Sequence, residues 1–139
     1  AAWGSSTGEA IHTSTFLGNP LGCAAALASL DVLLDPETAL AIRTRAERFE
    51  ESLNEALRDH RLGVPRRTFA RLLIGLALEG GAPRALAVMR ALLERGFIVL
   101  PGGVRGDVLT LTPPCAITDA QIDAFAEALG DVLRALPVS

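Results

Sequence analysis

The densest polar cluster in the chain is His12-Thr13-Ser14-Thr15, followed closely by Gly18-Asn19-Pro20. Three hydroxyls on a glycine-containing loop just ahead of a helix start could receive an anion, typically a phosphate, together with free backbone N–H groups. The same residues are also the ordinary material of a surface turn. His12 and Ser14 do not form a hydrolase signature, because no G-x-S-x-G surrounds the serine. Arg105-Gly106-Asp107 spells an adhesion tripeptide, but it stands between Gly102-Gly103 and a β-rich run, where Gly and Asp are turn formers. Asp59-His60-Arg61 and Arg66-Arg67 read as solvated charge. No carboxylate pair, metal-ligand spacing or Walker loop is present. All 13 basic residues are arginine, so no lysine amine can act in this chain. Cys23 and Cys115 have no metal or redox spacing and read as reduced, buried small residues.

These groups must be held by a chain of 139 residues, enough for one domain or one piece of a larger one. Half the residues are hydrophobic and 21% are charged, which excludes a disordered tail and allows a core. A net charge of −3 argues against a nucleic-acid partner. No apolar run approaches the ~18 residues of a membrane span. There is no basic segment leading into an apolar one at the N-terminus, and the few cysteines agree with a cytoplasmic protein.

The order of elements follows from caps and periodicity. Residues 1–18 show no helical stripe and read as loop or extended chain. Asn19-Pro20 starts a helix that is apolar all round through Leu34, a pattern expected of a helix buried on several sides. Asp35-Pro36 starts a second and longest helix, with Ile42, Ala46, Phe49, Leu53 and Leu57 on one stripe and an end near His60. Leu72–Leu78 reads as a strand. Pro83 opens a third helix that Gly96 ends, Phe97–Leu100 and Val108–Thr112 read as strands, and Thr118 with Gln121 caps a final helix. The expected fold is α+β, with a small sheet of about three strands covered by helices.

The stretch from Gly8 to Ala26, through His12-Thr13-Ser14-Thr15-Phe16-Leu17-Gly18-Asn19-Pro20-Leu21-Gly22, resembles a signature of the class III aminotransferases. These are pyridoxal-phosphate enzymes of the aspartate-aminotransferase fold and include ornithine, acetylornithine and 4-aminobutyrate aminotransferases. Leu109-Thr110-Leu111-Thr112-Pro113-Pro114, with Ile117-Thr118 and an amphipathic helix behind it, is similar to the C-terminal end of the same family. The resemblance implies a C-terminal fragment. Residues 1–34 would be the last segment of the large-domain region with a connecting helix, and residues 35–139 the small domain. The lysine and carboxylate that hold the cofactor would lie in a missing N-terminal part, so this chain would have no catalytic residue of its own and would be inactive alone. Thr15, with Ser14 beside it, matches the residue that binds the cofactor phosphate of the neighbouring subunit. The intact enzyme would be a homodimer moving an amino group from an amine or amino acid to a 2-oxo acid. A different class remains open beside it, a stand-alone interaction or dimerisation domain.

The pattern is broken in two places. Family members carry Arg-Gly-x-Gly-Leu ahead of the first strand read above, where this chain has Thr68, Phe69 and Arg71 in place of the Arg and the two Gly. Members that grip an α-carboxylate carry an Arg three residues before the Pro-Pro pair, where this chain has Thr110. A threonine hydroxyl cannot replace a bidentate guanidinium. The resemblance therefore implies weak binding of α-amino acids here, with Arg105 as the nearest substitute cation.

Overall fold

The first helix, α1 (Pro20–Leu34), begins where the Asn19 side chain accepts the backbone N–H of Gly22 at 3.1 Å and Pro20 occupies the first turn. The computed structural model describes residues 18–138, so Ser14 and Thr15 lie outside the described residues, as does the expectation for the first 17 positions. The chain divides into two units, Ala1–Ala39 and Leu40–Ser139.

In the first unit, α1 buries none of its residues, and Leu21, Leu27 and Leu34 are exposed. This corrects the expectation of a helix buried on several sides. Caps and Ala- and Leu-rich propensity suffice to form the helix locally, whereas burial needs a covering surface. Cys23 on this helix and Cys115 after the Pro-Pro pair are both exposed and free, which corrects the expectation that they are buried. Asp35 then receives the Thr38 N–H at 2.8 Å and starts α2 (Pro36–Ala56), the longest helix.

The second unit holds the sheet. After α2 come a 3₁₀ turn (His60–Leu62), β1 (Arg66–Ala70), β2 (Leu73–Ala77), α3 (Gly81–Glu94), β3 (Leu100–Gly102), β4 (Val108–Leu111) and α4 (Asp119–Ala135). The four strands run in the order β1-β2-β4-β3, and every neighbouring pair is antiparallel. One strand more than expected is present. β1 contains the Arg66-Arg67 pair that reads as a charge run, but Arg67 and Phe69 alternate inward between outward Arg66, Thr68 and Ala70. The expected strand at Phe97–Leu100 is displaced to β3. Phe97 instead completes the end of α3: its N–H reaches Leu92 O and the Gly96 N–H reaches Leu93 O, both at 2.9 Å, with Gly96 at φ 86°. This is a Schellman closure, which uses the backbone of Phe97 that a strand would need.

Alternation divides the sheet into two faces. Ile74 and Leu76 of β2 and Leu109 and Leu111 of β4 are buried with Phe49 and Leu53 of α2, Val88 and Leu92 of α3, and Ile122 and Leu129 of α4. Phe125 meets Phe49 and Phe97 edge-to-face at 5.8 and 5.4 Å between ring centres. The Thr118–Gln121 capping box forms as expected at the start of α4. Three helices thus cover one face of the sheet, and the other face stays open.

One buried cation ties the unit together. The Arg84 guanidinium donates from Nε to Leu136 O at 2.9 Å, from Nη2 to Leu62 O at 2.7 Å, and from Nη1 to Gly63 O and Glu79 O at 3.2 Å each. These bonds join the 3₁₀ turn, the start of α3 and the end of α4. Burial lowers the Arg84 pKa from its ordinary value, and the Glu79 charge works in the opposite direction.

Candidate functional site

The open face of the sheet carries Thr110. Register places Thr68, Gly75, Thr110 and Leu100 in one row across β1, β2, β4 and β3. The next row is Arg66, Ala77, Val108 and Gly102. Side chains on these rows point away from the helix-covered core, because their strand neighbours Arg67, Leu76 and Leu109 point into it. The surface is therefore shallow and largely neutral, with Leu73 and Leu100 more than half exposed.

Glycines shape the ground around Thr110. A Cβ built on Gly102 would overlap the Thr110 hydroxyl oxygen, so only glycine lets this hydroxyl lie over β3. At Gly75 a Cβ would stand 3.4 Å from Val108 Cγ1 and 3.9 Å from Thr68 Cβ, so Gly75 brings no side chain of its own to the row and the Val108 side chain borders the space above it. Among the described residues the Thr110 hydroxyl makes no hydrogen bond and is free to meet a ligand. The sequence singles out positions 68 and 110 separately, and their meeting in one row becomes visible only through the strand register.

Arg105 does not supply the free cation expected of it. Its Nε and Nη2 hold Asp107 Oδ2 at 3.1 and 2.7 Å, and this pair closes the loop between β3 and β4. Hydrogen bonding from Arg105, assisted by the charges of Arg105 and Arg66, holds the Asp107 carboxyl below its ordinary pKa. The Arg-Gly-Asp tripeptide is thus a turn closed on itself. Beside it lies an open cleft of about 760 Å³ lined by Arg66, Ala77, Glu79, Gly81, Arg105 and Asp107. A second cleft of about 340 Å³ runs along Phe97, Ile98, Pro113 and Pro114, and none of its lining residues is charged.

The hairpin joining β1 to β2 turns on Arg71-Leu72, and Arg71 sits at φ 58°. A positive φ at the first central residue is the place a two-residue hairpin usually gives to glycine. The chain puts arginine there, at one of the two glycine positions where the resemblance is broken.

Among the described residues no group of His, Cys, Asp or Glu could hold a metal ion, and no helix is long and apolar enough to cross a membrane. The described residues also offer no lysine. Ser14 and Thr15, with Thr13 and the helix start at Asn19, are the part of the sequence whose chemistry suits a phosphate.

Residues 2–133 match the family described as aminotransferase class-III. The chain is 37% identical over 112 residues to an acetylornithine aminotransferase of Pseudomonas putida, a match covering 81% of this chain and 27% of that protein. It is 36% identical over 130 residues to an adenosylmethionine-8-amino-7-oxononanoate aminotransferase of Synechococcus elongatus, covering 88% of this chain and 28% of that protein. The crystal structure of a Bacillus anthracis aminotransferase superposes with a TM-score of 0.78 at 26% identity, covering 94% of this chain and 32% of the other. The chain thus spans less than a third of the length of these relatives.

Proposed function

The chain belongs to the class III aminotransferase family, and on that premise we propose that it is the C-terminal part of an enzyme that moves an amino group from an amine or amino acid to a 2-oxo acid. Residues 1–34 close the large-domain region, and residues 35–139 form the small domain. Pyridoxal 5'-phosphate supplies the chemistry in the intact enzyme by accepting the amino group from one substrate and passing it to the next. In this chain Thr15 and Ser14 would hold its phosphate, in the site of the neighbouring subunit of a homodimer. The lysine that anchors the cofactor belongs to the remainder of the protein, so the chain alone has no transaminase activity. Its location is cytoplasmic.

The exposed apolar length of α1 supports this reading, because a helix of that composition requires a covering surface. The small domain contributes the open sheet face, and Thr110 is its substrate-facing residue. One observation carries the substrate reading: Thr110 and Thr68 share a neutral row with only Gly75 between them. A hydroxyl there donates one hydrogen bond and carries no charge, so it accepts a neutral substrate end and does not clamp an α-carboxylate. The donor is therefore an amine, or an ω-amino acid whose carboxylate is held elsewhere.

The test is to express the gene with whatever coding sequence precedes Ala1, supply the cofactor, and follow amino transfer to a 2-oxo acid. Ping-pong turnover by the long form and none by the 139-residue chain is the expected outcome. Turnover by the short chain alone, or none by a folded, cofactor-loaded long form with any donor, contradicts the proposal.

A further inference from the structure

An aminotransferase that accepts amines must still bind a 2-oxo acid in the second half of its reaction. That acceptor carries a carboxylate which stays ionised at neutral pH, and Thr110 offers it no charge. The inference below rests on the reading that the open sheet face meets the substrate. On that face Arg66 is the residue that carries charge, since the other outward sheet positions hold Thr, Gly, Ala, Val or Leu.

Arg66 is exposed and makes no ion pair or side-chain hydrogen bond among the described residues. Nearby arginines are already committed. Arg67 points inward to Asn54 Oδ1 at 3.0 Å and to Leu57 O, Arg84 is spent on four carbonyls, and Arg105 is closed on Asp107. Across the strands from Arg66 lie Ala77, Val108 and then Gly102, short side chains that leave a guanidinium free to lean over the sheet. The cleft beside it contains two acids: Asp107, paired with Arg105 and also within electrostatic reach of Arg66, and Glu79, whose charge acts on buried Arg84.

The reach fits a small acid. Arg66 and Thr110 are two residues apart along the strands and two strands apart across them, about 12 Å between Cα atoms. An extended arginine carries its guanidinium roughly 6 Å from its Cα. Depending on whether the arginine leans over the sheet or stands off it, its guanidinium lies roughly 4–12 Å from the Thr110 hydroxyl, a range that includes a small 2-oxo acid with a hydrogen bond at each end.

We propose that Arg66 is a specificity-determining residue that binds the carboxylate of the 2-oxo acid acceptor, with Thr110 facing the neutral part of the substrate. The experiment uses the full-length, cofactor-loaded protein and its two half-reactions, one with a simple amine and one with a 2-oxo acid. Arg66→Gln should raise KM for the 2-oxo acid about ten- to hundredfold, as expected for loss of a bidentate charged contact, while KM for the amine stays within twofold. Arg66→Lys should restore part of the loss, because it returns the charge without the fork. A merely structural arginine would move both substrates together, and that result overturns the proposal. So does an Arg66→Gln enzyme with unchanged KM for the 2-oxo acid. If Thr110→Arg still shifts donor preference in that case, the face meets substrate and Arg66 alone is wrong. If neither variant changes either half-reaction, the reading of the face fails and the proposal with it.

Discussion

Arg84 is the position where a single change should cost the fold most. Replacing it with Met keeps much of the stem and removes every donor. The bonds to Leu62 O and Leu136 O, at 2.7 and 2.9 Å, are well formed, and those to Gly63 O and Glu79 O, at 3.2 Å, are weaker. Hydrogen bonds to a charged group contribute about 1.5–3 kcal/mol each. The two good bonds alone therefore give about 3–6 kcal/mol, and orphaned carbonyls near the 7% exposed Arg84 add to the loss. In a unit of this size each kcal/mol shifts Tm by about 4–8 °C, so Arg84→Met should lower it by about 12 °C or more. Urea unfolding followed by circular dichroism measures the loss directly, with Arg84→Lys intermediate because one ammonium cannot serve four separated carbonyls. A loss below about 1 kcal/mol for Arg84→Met would refute the reasoning.

Three further outcomes follow from the same structure. Arg71→Gly should stabilise the domain by up to about 1 kcal/mol, because relief of the positive φ exceeds the extra freedom glycine gains on unfolding; a Tm no higher than that of the parent would count against a strained hairpin. The carboxyls of Asp35, Asp59 and Asp107 lie below their ordinary pKa, through hydrogen bonds from Thr38, Arg61 and Arg105 respectively. Their stabilisation is complete above the ordinary carboxylate pKa and is lost as pH falls through the depressed values, so Tm should fall below about pH 4 and Asp107→Asn should flatten that acid limb. Mixing the 139-residue chain with pyridoxal phosphate should give no internal-aldimine absorbance beyond what its N-terminal amine produces, since it contains no lysine; a stable lysine-type aldimine band would be inconsistent with the sequence.

Local chemistry made most of the elements legible in the sequence. Asn19-Pro20, Asp35-Pro36, Gly96 and Thr118-Gln121 act within one helical turn, and each forms as its residues dictate. What the sequence hid was non-local. β1 looks like a charge run because Arg67, an inward residue, is polar and finds its partners, Asn54 and Leu57, on and just beyond α2. The exposure of Cys23 and Cys115 depends on what surrounds them, which residue type does not fix. At the site, Thr110 was visible as a departure from a pattern, but its partnership with Thr68 and the freedom of Arg66 follow only from strand register. Arg105, the nearest substitute cation by sequence, is instead paired with Asp107 two residues on.

The central claim is that a neutral Thr110, open on the sheet face, sets the choice of amino donor. The direct measurement is the ratio of kcat/KM for a simple amine to that for an α-amino acid such as ornithine, in the full-length enzyme and in its Thr110→Arg variant. The account predicts that the parent favours the amine and that the variant shifts the ratio at least about tenfold toward the α-amino acid, as a new bidentate contact should. A parent that already prefers α-amino acids, with a ratio that Thr110→Arg leaves unchanged, would contradict it.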